Sequence, residues 1–532
     1  MITRRNLALL AGAPLLSGLP ARAQGTPRRG GELIFGLDGA AVSSFVLDPH
    51  NSGFAPHNRV FRSIFDSLTV LLPDQSVGPW LATAWEIAED GRTYTFRLRT
   101  DVTFHDGTRF DAAAVKANLD RIADRRNALT ALPDIGPYAG SEVLAPDTVR
   151  VELREPFTPL LRNLSKTTLG IVSPTALQRL GNGIASNPVG SGPFRIVSVE
   201  QGVEVVLARN ESYAWAPPTA AHQGPAHLDR LVFKNVPEES TRVAALQSRQ
   251  VHAVDAVPPQ HVVGLRGAAG FRLIEKELLN NNYTLYLNVA KAPWDDEEVR
   301  RAFRLSLDVD ALVRVIYLGT QPRAWAPLSP SLYASADRTL AQSWQPNPAE
   351  AARILDAKGW KPGARGIREK DGRRLTVSFA DTQGNREKRL DVIQLARRQL
   401  QRSGFDLSID SQPDGTYREK LANGDYDLAG ASQFAPDPDV LRRLHLPDGR
   451  ARSSVSKVDD TEISAWLRAG TREPDGPNRI ALYGDVQRRL VEKVYAIPVY
   501  VLLYNIATTD KVSGIAIDAH GFPAFHGAWL AA

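Results

Sequence analysis

The sequence predicts an α/β protein of more than one lobe, with helices flanking mixed sheets, and three observations carry that expectation. The chain has 532 residues, and single cores stop growing at about 250–300 residues, so two or three lobes are expected. Period-2 hydrophobic segments alternate with amphipathic helical ones along its length, the pattern of sheets covered by helices. No internal repeat, low-complexity tract or long linker divides it, so the lobes must be wound together rather than strung out.

The apolar fraction of 43% and charged fraction of 23% place the chain among ordinary globular proteins. A net charge of +5 is dilute over this length, and no Lys/Arg run interleaves with aromatics. Nucleic acid is therefore not an expected partner.

Thr3-Arg4-Arg5-Asn6-Leu7 is a twin-arginine pattern, followed by the apolar run Leu7 to Leu19 and the small-residue site Ala21-Arg22-Ala23. This is the layout of a cleaved export signal over residues 1–23, by the twin-arginine or the general secretory route. Gly12, Pro14 and Gly18 interrupt a run already shorter than the roughly 20 apolar residues of a membrane span. The sequence contains no cysteine, which excludes disulfides, thiolate metal sites, a cysteine nucleophile and an acylated-cysteine anchor. A freely diffusing periplasmic protein without a cofactor is expected.

Gly31 to Leu37 reads as a first strand, Leu47 to His50 as a loop, and Val60 to Leu68 as an amphipathic helix. In Trp80 to Arg121, Trp85 and Ile87 share one direction and Glu89-Asp90-Gly91 turns the chain. Tyr94, Phe96 and Leu98 then alternate with Thr95, Arg97 and Arg99 as a half-buried hairpin strand. His105-Asp106-Gly107 makes a second turn, and Asp111 caps a helix whose Val115, Leu119 and Ile122 share a face. Thr148 to Leu153 is a further strand.

Gly190-Ser191-Gly192 suits a tight turn before the strand Arg195 to Val199, and is no nucleotide loop because no G-x-G-x-x-G or G-K-[ST] accompanies it. Leu228 to Val257 reads as strand, helix, strand, and Tyr283 to Val289 as an alternating strand. A helix starts at Asp296 and runs through Val299, Phe303 and Leu307 towards Gly319. Asn347-Pro348-Ala349-Glu350 starts another helix, which Gly359 stops. Leu390 to Arg402 is a third, ended by Gly404 and followed by the strand Phe405 to Asp410; Ala496 to Tyr504 is a long apolar strand.

Several of these segments together resemble the peptide/nickel/opine family (family 5) of extracellular solute-binding proteins, which serve ABC importers. They are Trp80 to Arg121, Asn187 to Phe194, the helix carrying Arg242, Ala245, Leu246 and Gln247, the strand near 285 and the strand near 500. The resemblance implies a periplasmic-binding-protein type II-like fold of cluster C: a two-lobed Venus flytrap with an extra subdomain. It divides the chain into lobe I (30–60, 186–283 and 500–532), the extra subdomain (61–185) and lobe II (284–499), with hinge strands near 285 and 500. It also implies the function: a monomer captures a small solute, expected to be an oligopeptide or peptide-like. The monomer then delivers it to an inner-membrane permease with its ATPase subunits. A nickel chelate or an opine-like solute is the alternative, and a chaperone on the same fold a further one.

Candidate site residues come from the same resemblance. Ser52, Gly53 and Phe54 lie on the first-lobe loop, where small residues allow a ligand to approach the backbone. Arg386 and Arg389 precede the Leu390 helix, where the family often places a carboxylate-binding arginine; they read equally as solvated helix-terminal charges. Ser432, Gln433, Phe434 and Asp437 belong to the segment that matches the pocket strand. Many peptide binders carry an ammonium-binding aspartate three residues before the Asp-Pro pair, and here that place is Phe434. Either Asp437 replaces it or the ligand buries no free amine there; Asp437 and Asp439 also read as a helix-initiating turn.

Asn288 to Pro293 and Gly366 to Gly372 resemble nickel-binding members, but the metal-complex histidine of those proteins aligns near Asp439 and their carboxylate arginine near Thr167. His50 and His57 lie on the early loop without metal-cage spacing, so no metal site is expected. An enzyme is not expected either, since G-x-S-x-G, H-E-x-x-H and Walker motifs are missing from the sequence.

Overall fold

Three principal sheets organise the computed structural model, which describes residues 26–39, 44–127, 129–333, 337–446 and 455–531. The signal expected at 1–23 lies outside these residues. Among the described residues the largest sheet has seven strands, in the order Phe271–Glu277, Leu503–Thr509, Ala253–Asp255, Glu32–Leu37, Arg230–Asn235, Glu204–Arg209 and Phe194–Glu200. Glu32–Leu37 is central and runs parallel to both neighbours. Its Phe35 packs edge-on against Phe233 and Phe525 at 5.8 and 5.2 Å, in the core against this sheet.

The second sheet carries Ala82–Ile87, Thr93–Leu98, Thr148–Leu153 and Tyr138–Ala145. Tyr94, Phe96 and Leu98 are buried with Val149, Val151 and Leu153, as their alternation predicts. Helix Ala112–Ala123 closes this face with Val115, Leu119 and Ile122, and Asp111 caps it by accepting from Ala114 N at 2.8 Å. Ile87, on the sheet edge, is exposed.

The third sheet has the order Asp406–Gln412, Thr376–Thr382, Leu428–Ala431, Tyr283–Leu287 and Ala496–Tyr500. Its core is continuous with the helices Glu297–Leu305, Val309–Tyr317, Pro348–Ala357 and Arg389–Arg402.

Only two segments carry the chain between the first and third sheets among the described residues, 278–282 and 501–502. The same two stretches are antiparallel partners on both sides: Glu277 pairs with Leu503 in the first sheet, Tyr283 with Tyr500 in the third. Leu278 N donates to Leu502 O at 3.0 Å between them. A two-stranded ribbon thus joins the lobes, which permits bending but resists sliding.

Several local expectations change. The apolar run 496–504 is two strands broken at 501–502, because the chain changes sheets there. Tyr283–Leu287 is buried at every position rather than alternately, since strands flank it on both sides and helices cover both faces. The stretch 296–319 is two helices: Asp308 starts a second one by accepting from Ala311 N at 2.9 Å. The first helix is Ala55–Ile64, not 60–68. Pro56 opens it, and it stops where Asp66 accepts hydrogen bonds from Ser191 Oγ, Trp215 Nε1 and Tyr213. Gly190 and Gly192 serve close approach rather than an unusual turn: a Cβ on Gly190 would lie 2.1 Å from Ile64 O.

Candidate functional site

The lobes meet along a face that carries Arg389, Ser432, Gln433 and Phe434 of the nine expected residues. At its centre Arg389, the first residue of helix Arg389–Arg402, is only 6% exposed. It donates from Nε and Nη2 to Glu387 Oε2 at 3.1 and 2.7 Å, and from Nη2 to Ser432 Oγ at 2.6 Å. Its guanidinium lies 4.6 Å from the centre of the Tyr283 ring. A buried guanidinium needs such partners because desolvation costs several kcal/mol; a carboxylate, a hydroxyl and an aromatic face supply them.

Glu387 was not singled out from the sequence. Its Oε2 also accepts from Tyr500 Oη at 3.0 Å, and its carbonyl accepts from Tyr317 Oη at 2.7 Å. Burial opposes its ionisation, but Arg389 and Arg386 outweigh that and hold the carboxyl down to about 2. Arg386 is 42% exposed, its Nε 3.5 Å from Glu387 Oε1, so it matches the solvated-charge reading. Lys388 reaches the other lobe, where its Nζ meets Glu239 Oε2 at 2.5 Å. Glu239 begins helix Glu239–Gln247. The local signal for Glu387 was a lone acid among the bases of Arg386 to Arg389.

The pocket-strand segment runs past this cluster. Ser432 touches Arg389 directly. Gln433 exchanges bonds with the crossing segment: its N donates to Asn281 Oδ1 at 2.5 Å and its O accepts from Asn281 N at 3.2 Å. Phe434, half-buried, sends its ring across to His520 and Phe522 of the C-terminal segment at 5.3 and 4.8 Å. An aromatic contact between the lobes therefore stands where an acid was missed.

Asp437 does not join the cluster. It is 2% exposed and paired bidentately with Arg479, Nη1 to Oδ2 at 2.9 Å and Nη2 to Oδ1 at 2.7 Å. It also accepts from Asp439 N at 2.9 Å, the turn before helix Val440–His445. Its carboxylate is thus engaged mainly by Arg479, with Arg162 Nε also 3.8 Å from Oδ2.

On lobe I, Ser52 Oγ bonds His57 Nδ1 at 2.7 Å and accepts from Phe54 N at 3.3 Å, which shapes the entry to helix Ala55–Ile64. Phe54 packs edge-on to His57, and Gly53 is exposed with open space where a Cβ would stand. Among the described residues no hydrogen bond, ion pair or ring contact joins Ser52, Gly53 or Phe54 to Arg389, Ser432 or Phe434. His50 bonds Arg121 and Gly170 O, at 2.7 and 3.0 Å, and no group of three potential metal ligands is present among the described residues.

Two sheets joined by a paired ribbon, with polar and aromatic groups facing each other between them, define a two-lobed binding protein. The chain belongs to the bacterial extracellular solute-binding proteins, family 5, whose model matches residues 76–452. It is 29% identical over 399 residues to the glutathione-binding protein GsiB of Salmonella paratyphi A, covering 74% of this chain and 73% of that protein. The Escherichia coli O1:K1 GsiB is 30% identical over 328 residues, 61% of each chain. Among solved structures, NikA from Brucella suis with Fe(III)-EDTA superposes with a TM-score of 0.81 at 26% identity, over 94% of this chain and 100% of that one. Helicobacter pylori DppA with the peptide STSA shares the fold at a TM-score of 0.77 and 24% identity, over 94% and 98%.

Proposed function

We propose that this chain captures an oligopeptide or peptide-like solute between its lobes and delivers it to an inner-membrane ABC permease with its ATPase subunits. The supporting observation is Arg389, a buried guanidinium on the interlobe face beside Ser432 of the pocket strand. Arginine's planar fork suits a carboxylate, which an unmodified linear peptide carries at its C-terminus. The glutathione binding named for GsiB agrees with a small peptide-like solute. The likeness to NikA keeps a chelated metal as the second reading.

In this reading residues 30–60, 186–283 and 500–532 form lobe I, 61–185 the extra subdomain and 284–499 lobe II. Ser52, Gly53 and Phe54 line the lobe I wall; Arg386, Arg389, Ser432, Gln433 and Phe434 line the opposite one. The protein acts as a periplasmic monomer, exported through its twin-arginine segment and not acylated at a cysteine. It binds and does not turn over its solute.

A ligand that binds the closed form shifts the open–closed equilibrium and raises stability by RT ln(1 + [L]/Kd). The test is a melting-temperature titration with glutathione, the dipeptide Met-Leu, a tetrapeptide and nickel–histidine, followed by X-ray scattering. The expected result is stabilisation by a peptide, a smaller radius of gyration and an unchanged ligand on recovery. Stabilisation by nickel–histidine alone would replace the peptide reading with the second one.

A further inference from the structure

The fork of Arg389 is already filled from within the chain. One oxygen of Glu387 takes both Nε and Nη2, the edge that a solute carboxylate would use. That acid is not anchored as a structural partner usually is. Glu387 and Lys388 are consecutive non-glycine residues in the left-handed region, with φ of 56° and 59°. Such a conformation is uncommon and persists only when its surroundings hold it. Here the holding contacts are Arg389 and Tyr500 on the carboxylate, Tyr317 on the carbonyl and Glu239 on Lys388. The Glu387 side chain is 32% exposed, against 6% for Arg389, so the acid has a way out and the guanidinium has none.

Resting on the reading of this face as a solute site, we propose that Glu387 is a resident carboxylate that occupies the Arg389 fork in the empty protein and is displaced by the carboxylate of an arriving solute. Departure of Glu387 leaves Arg389 with Ser432, Tyr283 and the more distant charge of Asp381, and a solute acid restores the lost direct pairing. A tethered competitor lowers apparent affinity by the fraction of molecules in which it sits in the fork. The device therefore excludes solutes without a terminal carboxylate and sets a threshold for those that have one.

Chemical rescue tests this without knowledge of the solute. Glu387→Ala should melt below the unsubstituted protein and regain stability as sodium acetate is added, saturably. Sodium chloride at equal ionic strength should not do so, and the unsubstituted protein should respond to neither. Should Glu387→Ala not fold, Glu387→Gln keeps the side-chain length and takes the same titration. A second arm uses calorimetry with Met-Leu and its C-terminal amide. Glu387→Ala should bind Met-Leu more tightly than the unsubstituted protein, by on the order of tenfold, with no gain for the amide. Absence of acetate rescue, or weaker binding of Met-Leu by the variant, would overturn the proposal. If no protein binds Met-Leu, the peptide reading loses support while the acetate titration still decides on Glu387.

Discussion

Arg389 and Arg479 are both buried arginines with a carboxylate in the fork, and they differ in what stands behind that carboxylate. Asp437 precedes a helix, accepts from Asp439 N and is 2% exposed; its arginine is 0% exposed and further held by Asp475 Oδ1 and Gly470 O. Glu387 sits on a left-handed pair of residues and is a third exposed, at 32%. The same two functional groups thus make a structural rivet in one place and a replaceable contact in the other. Backbone anchoring and access to water decide which, not the length of the hydrogen bonds: the shortest are 2.7 Å in both pairs.

The sharpest way to break this comparison is to remove each acid. Asp437→Ala leaves Arg479 buried without its main counter-charge, and such a loss costs about 3–5 kcal/mol. Glu387→Ala should cost about 1–2 kcal/mol, because water can follow the departing side chain. Urea midpoints of the two variants measure this, and equal losses would show that the two pairs are alike.

A smaller effect is expected from Arg162, on helix Leu160–Asn163, which bridges to Asp475 just before helix Pro477–Glu492. Its Nη2 meets Asp475 Oδ2 at 2.9 Å, and its guanidinium lies 4.2 Å from the centre of the Tyr333 ring. Arg162→Met should favour the open form by about 1–2 kcal/mol. Scattering from the ligand-free protein should show a larger radius of gyration, with the core still folded.

Acid pH separates the Arg389–Glu387 pair from the buried histidines. Burial pushes His50, His57, His105, His520 and His526 down to about 4, and His445 to about 3, below the ordinary 6.5. A depressed histidine contributes stability above pH 6.5 that is lost as pH falls through its folded value. Glu387, lowered from 4.5 to about 2, loses its contribution only from pH 4.5 down to 2. Melting temperature should therefore decline between pH 6.5 and 4.5 with the same slope in Glu387→Gln as in the unsubstituted protein. A flattened slope in that variant would place Glu387 among the groups that titrate there.

The smallest effect concerns Phe434. Truncation to alanine removes its contacts with His520 and Phe522, worth about 0.5–1.5 kcal/mol each beyond area burial. Because those contacts span the lobes, closure rather than folding should weaken, and calorimetry against Met-Leu should show a lower affinity with little change in urea midpoint. Phe434→Asp adds a charge for a free amine; comparing Met-Leu with its acetylated form checks whether preference shifts towards the amine.

What the sequence determined by itself was whatever a turn of helix or a short strand can encode: the alternation of Tyr94, Phe96 and Leu98, the cap at Asp111, and the helix start at Asn347 with its stop before Gly359. Motif order carried the family and with it the two-lobed fold. Tertiary structure alone decided where the 496–504 run breaks, since its one proline, Pro498, lies inside the first strand and the change of sheet interrupts the run three residues later. It also decided the roles of the charged groups. Asp437 was a candidate for a solute amine until Arg479, 42 residues on, took its carboxylate. Glu387 looked like one charge among neighbours until Tyr317, Tyr500 and Ser432 surrounded it and Arg389. Local patterns survive because their energy comes from residues a few positions apart. A charge takes its meaning from burial and from partners that only the folded chain brings near.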